Sequence, residues 1–291
     1  RLNHLTTDEC PLLLANDPLH ELFGSFNNRD FDPVVLTKSL DRVKDIDKIR
    51  CPALYSLLAG MLLDRQDHEL AELLLKDAAA LFPKDLRLMQ LDALLHSHRG
   101  ELEIALKILG PLHANKGDDI ETVSVLAGVY KRQWWSDHRK FKSLVKSHRL
   151  YHRAWDRSRH TDVYLGTNAA TTALWLSRHS ESRDIAKEVC NQIENQNNTL
   201  IRILPDWDPL LRYWRSISHS EAQLLLGEYE EARKHYLAIF ERHRHRKQNR
   251  KESESPLEKG FLVIRHACAS GPGCQPVTWE TATLSQPNEC F

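Results

Sequence analysis

One alanine recurs at a fixed distance along the chain. Ala59, Ala93 and Ala127 stand 34 residues apart, twice over. Ala71 and Ala105 keep the same spacing, as do Leu75 and Leu109, and Leu74 and Ile108 form a fourth apolar column. A period of this length holds one helix, a turn and a second helix, and units that short bury their apolar stripes only by stacking on their neighbours. The turn has its own signature. "GELEIALKIL" at 100–109 and "GEYEEARKHY" at 227–236 both put a glycine five residues before an alanine. Glycine there supplies the turn into the second helix, and alanine allows that helix to approach closely. Pro83 falls where a second helix stops.

The 34-residue period resembles that of the tetratricopeptide repeat. The expected fold class is therefore all-α, an α-solenoid of tetratricopeptide-like helix-turn-helix repeats. Repeats are expected at 52–84, 86–118, 120–158, 162–195 and 208–244. The third is too long: "QWWSDHRKFKSLVK" adds residues between its helices, and Arg139 occupies the column where alanine is expected. Composition agrees, with 11 glycines and 12 prolines in 291 residues, too few for a strand-and-turn protein. Helical pieces are expected from Pro33 onward. The organisation is read as 1–32, an irregular capping segment; 33–244, the solenoid; and 245–291, a disordered or poorly packed tail whose breakers follow a basic run.

Charge and cysteine content exclude several functions. Forty basic residues balance forty acidic ones, so no global field draws the chain to nucleic acid or an acidic membrane. The six cysteines (10, 51, 190, 268, 274 and 290) form no CxxC pair, so neither a disulfide framework nor a zinc site is indicated. No apolar run reaches about 18 residues, so no membrane span is expected, and a cytoplasmic setting fits.

Candidate chemistry is sparse. "YLGTNAATT" at 164–172 has the glycine of a phosphate loop without the GxxxxGK[ST] or GxGxxG pattern. It reads as a helix entry, with Gly166 allowing a sharp turn and Asn168 close enough to bond exposed backbone groups there. "DHELAE" at 67–72 lacks the second histidine of HExxH. His148 and His152 lie one turn apart without a third ligand and read as surface histidines. Cys190 reads as core packing. Trp134 and Trp135, being adjacent, should point to different sides of a helix. Trp207 and Trp214, seven apart, read as core. No cofactor and no catalytic residue is expected.

"LAGVYKRQWWSD" at 126–137 and "DVYLGTNAATTALWLSRHSESRDIAKEV" at 162–189 together resemble the TRAFs-binding domain, a helical module of apoptosis signal-regulating kinases and many bacterial proteins. Tyr130 and Lys131 match its first element; Tyr164, Gly166, Asn168, Ala169 and Ala170 match the second, and Ala186 the helix that follows. Arg132 and Thr167 depart from the usual Asp and Ile. The resemblance implies a non-catalytic protein–protein scaffold that holds partners or a neighbouring effector domain, in a signalling or defence-type system. Tyr130, Lys131, Trp134, Trp135, Arg139, Tyr164 and Asn168 are the expected partner-binding residues. The alternative is a nucleic-acid or nucleotide-signal module that uses the basic stretch 131–160.

Overall fold

The computed structural model describes residues 52–64, 66–115, 119–200 and 209–243. The expectations for 1–32, the helix after Pro33, Trp207 and the tail at 245–291 lie outside the described residues. Those described form ten α-helices and no strand. They are α1 (Pro52–Asp64), α2 (His68–Leu81), α3 (Leu86–His98), α4 (Leu102–Asn115), α5 (Ile120–Ser136), α6 (Phe141–Arg157), α7 (Val163–Trp175), α8 (His179–Leu200), α9 (Pro209–Leu226) and α10 (Tyr229–His243). The protein is thus built of tetratricopeptide-type helical pairs. The first helices of three successive pairs open at 52, 86 and 120, on the period of the alanines.

The helices group into two compact units, α1–α6 and α7–α10, dividing after Arg157. In the first unit the periodic columns are the core. Ala59, Ala71, Ala93, Ala105 and Ala127 are wholly buried, and Leu75 and Leu109 nearly so. Tyr55, Leu58, Leu62, Leu74, Leu88 and Leu91 fill the space among α1, α2 and α3. Leu109, Val125, Leu126 and Val129 continue it through α5, with Tyr130 and Leu150 at its margin. In the second unit Ile217, Leu224, Ala232, Tyr236 and Ile239 seal α9 against α10.

Turns and caps follow from side-chain chemistry. Gly100 and Gly227 stand two residues before a second helix with φ of 81° and 86°. Gln66 and Ser177 hold the equivalent place with φ of 60°. Every turn that keeps the short form therefore uses one left-handed residue, whether or not it is glycine. The helix starts are capped by aspartates: Asp67 accepts from Leu70 N, Asp85 from Leu88 N, Asp119 from Thr122 N and Asp162 from Tyr164 and Leu165 N. Each satisfies backbone donors that the helix itself leaves open.

Two expectations about local structure are corrected. The seventh helix begins at Val163, ahead of the turn expected at Gly166, because Asp162 caps it. Gly166 lies inside the helix, its N–H bonded to Asp162 O at 3.2 Å, and makes no turn. Asn168 does not cap; its amide donates back to Tyr164 O at 2.9 Å. Thr167 and Thr171 donate to the carbonyls four residues before them, at 2.7 and 2.9 Å, and Thr172 to those of Asn168 and Ala169, at 2.7 and 3.0 Å. Such back-bonding lets a polar helix be enclosed without orphaned groups.

The second correction concerns the long third repeat. Its extra residues lengthen the helices more than they build a loop: α5 and α6 each run 17 residues, against 13 and 14 in α3 and α4. Where the period asks for a start at 136, α6 opens at Phe141, and Arg139 is left on the short connection, out of the alanine column.

Candidate functional site

The third pair, α5–α6, concentrates the polar and aromatic features of the first unit. Its buried face is not wholly apolar. Ser143, Ser147, His148, Tyr151 and Trp155 share it with Leu144 and Ala154. Hydrogen bonds make this burial tolerable. Ser147 Oγ donates to Ala127 O at 2.8 Å, reaching a carbonyl in the small-residue column. Ser143 Oγ donates to Gln133 Oε1 at 2.6 Å, and Gln133 Nε2 donates on to Glu103 of α4 at 3.0 Å. His148 is 2% exposed, so the surface reading of that residue is corrected. Its ring lies 5.8 Å from His152, which bonds Asp156 at 3.0 Å.

At the α5–α6 corner the two tryptophans come together instead of pointing apart. Their rings meet edge to face with centroids 6.0 Å apart, and the His138 ring packs on both, at 4.6 Å from Trp134 and 5.7 Å from Trp135. The connection after Ser136 is what permits this, since His138 folds back over the helix end. Both indoles are half-buried. Beside them Arg139 carries a 92% exposed side chain, bonded to Asp137 at 3.0 Å, and that contact holds the Asp137 carboxyl below its ordinary value. Phe141, at the head of α6, is 53% exposed.

The other expected residues divide between the units. Tyr130 and Lys131 sit one turn before the tryptophans on α5. Lys146 Nζ lies 5.0 Å from the Tyr130 ring centroid and Lys131 Nζ 5.8 Å from that of Tyr151, both within cation–π reach. Tyr164, on α7 of the second unit, is 46% exposed, whereas Asn168 is a buried residue. Trp214 is 46% exposed, which corrects its assignment to the core.

Within the basic stretch 131–160, a line of charge runs along α6. Lys142, Lys146, Arg149, Arg153 and Arg157 are all exposed, at spacings of three and four residues. That spacing puts all five on one face, over about 22 Å at 1.5 Å per residue.

Polar contacts also join one pair to the next. Gln90 Nε2 donates to Asp119 Oδ2 at 2.6 Å and to Thr122 Oγ1 at 2.8 Å. Arg87 pairs with Glu121. Arg99 pairs with Glu72 at 2.7 Å and donates to His68 O at 3.0 Å. Glu72 also meets Lys76, and the two cations hold its carboxyl down to about 2. Arg132 donates to Ser97 Oγ at 3.0 Å. Cys190 is buried, and burial, with Glu228 and Glu194, pushes its thiol up to about 11, far from a nucleophile's range. Among the described residues no group of three His, Cys, Asp or Glu could hold a metal ion, and no helix is long and apolar enough to cross a membrane.

No curated protein matches the chain. Residues 67–174 match the family model described as Tetratricopeptide Repeats-Sensor. That span runs from the cap of α2 to the end of α7 and includes both the aromatic corner and the basic line. The match supports a tetratricopeptide-type family, a class whose repeats mediate protein interaction and regulation and are typically non-catalytic; the narrower likeness to the TRAFs-binding domain rests on its residue motifs alone.

Proposed function

We propose that the protein is a non-catalytic regulatory scaffold whose α5–α6 corner holds a protein partner or a neighbouring effector domain. The observation that carries this reading is the Trp134–Trp135–His138 cluster. Two indoles already ordered against each other, yet half open to solvent, lose little freedom on binding, and tryptophan is enriched where interfaces concentrate their energy. Tyr130 and Lys131 extend the corner along α5, and Arg139 and Phe141 border it. Tyr164, on the second unit, is a separate contact point, and Asn168 contributes to its helix, not to the surface. The word "Sensor" in the matched family's description, and the resemblance to the TRAFs-binding domain, both favour regulation over catalysis.

The test is capture of partners from the native host by the full chain, with identification by mass spectrometry. Trp134→Ala with Trp135→Ala is expected to cut capture at least tenfold while circular dichroism and the melting temperature show a folded protein. Undiminished capture by the folded double variant removes the corner from the interface.

The basic line on α6 favours a second reading, a module for nucleic acid or a nucleotide signal. This reading expects affinity for oligonucleotides to fall with salt, by about one log–log unit for each phosphate neutralised. A salt-insensitive interaction rejects it.

A further inference from the structure

Several helices of this protein mix the signs of charge on their exposed faces. On α2 Lys76 meets Glu72, one turn before it, at 2.7 Å. Arg178 meets Glu181 at the head of α8 at 3.3 Å, and on α10 Arg233 and Lys234 meet Glu230 and Glu231 at 3.9 and 2.7 Å. The second helix of the third pair departs from this habit. α6 carries Lys142, Lys146, Arg149, Arg153 and Arg157 against a single acid, Asp156. That acid lies at the flank of the row and is engaged by His152 at 3.0 Å. Asp137, before the helix, is held by Arg139, and Asp162, after it, caps α7. Lys142, Arg149 and Arg153 meet no carboxylate among the described residues. Lys146 faces the Tyr130 ring at 5.0 Å, a contact that leaves its charge in place.

This arrangement costs the helix stability. Each step along the row, from 142 to 146, 149, 153 and 157, sets like charges three or four residues apart. Such pairs destabilise a helix about as much as opposite charges support it. A face that served only solubility would mix its signs. The repulsion is relieved when carboxylates settle on the row.

The row is straight and spans about four turns. Its spacing, one cation per turn, is that of carboxylates at i, i+3 and i+4 on a second helix. Two features favour protein carboxylates over a phosphate backbone. Tyr151 and Trp155, within the span of the row, are buried and offer no face for bases to stack on, and the exposed Phe141 stands only at its head. The forty basic and forty acidic residues of the chain give the row no wider positive footprint.

We propose that this face of α6 docks an acidic helix of a partner protein, one with carboxylates along one side over about four turns. Arg149 and Arg153 form the centre of the contact, and Lys142 and Arg157 its ends. The proposal rests on the reading of the protein as a scaffold for protein partners, and gives that scaffold a second surface with its own chemistry.

The test is fluorescence anisotropy of the full chain with labelled probes at one ionic strength. The first probe is an alanine-based helical peptide of about 20 residues, long enough to cover the row, with glutamates on one face. The second has the same composition with its glutamates spread around the helix. The others are single-stranded and duplex oligonucleotides of matched charge. The one-faced peptide is expected to bind at least tenfold tighter than the spread one and than either oligonucleotide. Arg149→Glu with Arg153→Glu is expected to weaken it at least tenfold without lowering the melting temperature, since the new carboxylates lie beside Lys146 and Arg157. Arg149→Gln with Arg153→Gln, expected to weaken binding several-fold, carries the test if the charge-reversed protein does not fold. Equal affinity for the two peptides, tighter binding of an oligonucleotide, or undiminished affinity in a folded variant overturns the proposal. Peptide affinity reads the row, and capture by the Trp134→Ala, Trp135→Ala protein reads the aromatic corner, so either surface can fail alone.

Discussion

At the turn between the helices of a pair, a single residue carries the conformational cost. Gly100 adopts φ of 81° with nothing within 4 Å of a Cβ placed there, so strain, not collision, is what a side chain would meet. Gln66 meets it already, at φ of 60°. A left-handed non-glycine residue costs about 1–2 kcal/mol. Gly100→Ala is therefore expected to lower stability by about 1 kcal/mol, and Gln66→Gly to raise it by somewhat less, since glycine also gains freedom in the unfolded chain. Urea unfolding monitored by circular dichroism measures both. The glycines at 100 and 227 were legible as turns because no other residue is so free there. Gly166 was misread by the same rule. Its signal was overridden by Asp162, which fixes the helix start four residues earlier and leaves the glycine in the interior.

Between helices, the strongest tie in the first unit is the Asp119 carboxylate. It accepts from Thr122 N at 2.7 Å, from Thr122 Oγ1 at 2.6 Å and from Gln90 Nε2 at 2.6 Å, so one side chain caps α5 and clamps it to α3. Asp85 caps α3 through one bond, to Leu88 N at 2.9 Å. Removing a cap costs about 1 kcal/mol, and leaving a buried amide unsatisfied adds about 1–3 kcal/mol. Asp119→Ala is thus expected to cost about 2–3 kcal/mol and Asp85→Ala about 1 kcal/mol, read from chemical denaturation. Equal losses would mean that the Gln90 contact contributes nothing. The period predicted which helices pair and where they start, because alanine at a close crossing cannot be replaced by bulk. It did not predict which polar groups cross. The bond from Ser147 to Ala127 O depends on the late start of α6, and lengths of insertion do not reveal where the added residues are absorbed. The same shift brings His138 against both tryptophans, so the aromatic corner was visible in the sequence as composition but not as an arrangement.

For the whole molecule, several histidines bias stability in one direction. Burial, Arg99 and a weaker opposing influence of Asp67 leave His68 below its ordinary value; burial and His235, opposed by Glu194, do the same to His219. Each takes up its proton at a lower pH in the folded protein than in the unfolded chain, where it does so near 6.5. The unfolded state therefore binds more protons below that pH, and stability, fully present above about 6.5, is lost as pH falls toward the lowered folded values. Urea midpoints are expected to drop between pH 7.5 and 5, and His219→Gln to remove part of the slope; a flat profile would contradict both assignments. A last consequence comes from the spacing of the ties in the first unit. Gln90 to Thr122, Arg87 to Glu121 and Arg132 to Ser97 join residues 32, 34 and 35 apart. No such tie needs more than one neighbouring pair to be in place. Assembly of this unit can begin at any adjacent pair and spread in both directions, the behaviour of a chain of coupled links. An injury at one joint then frays the unit from that joint outward, while the remaining pairs keep their own contacts.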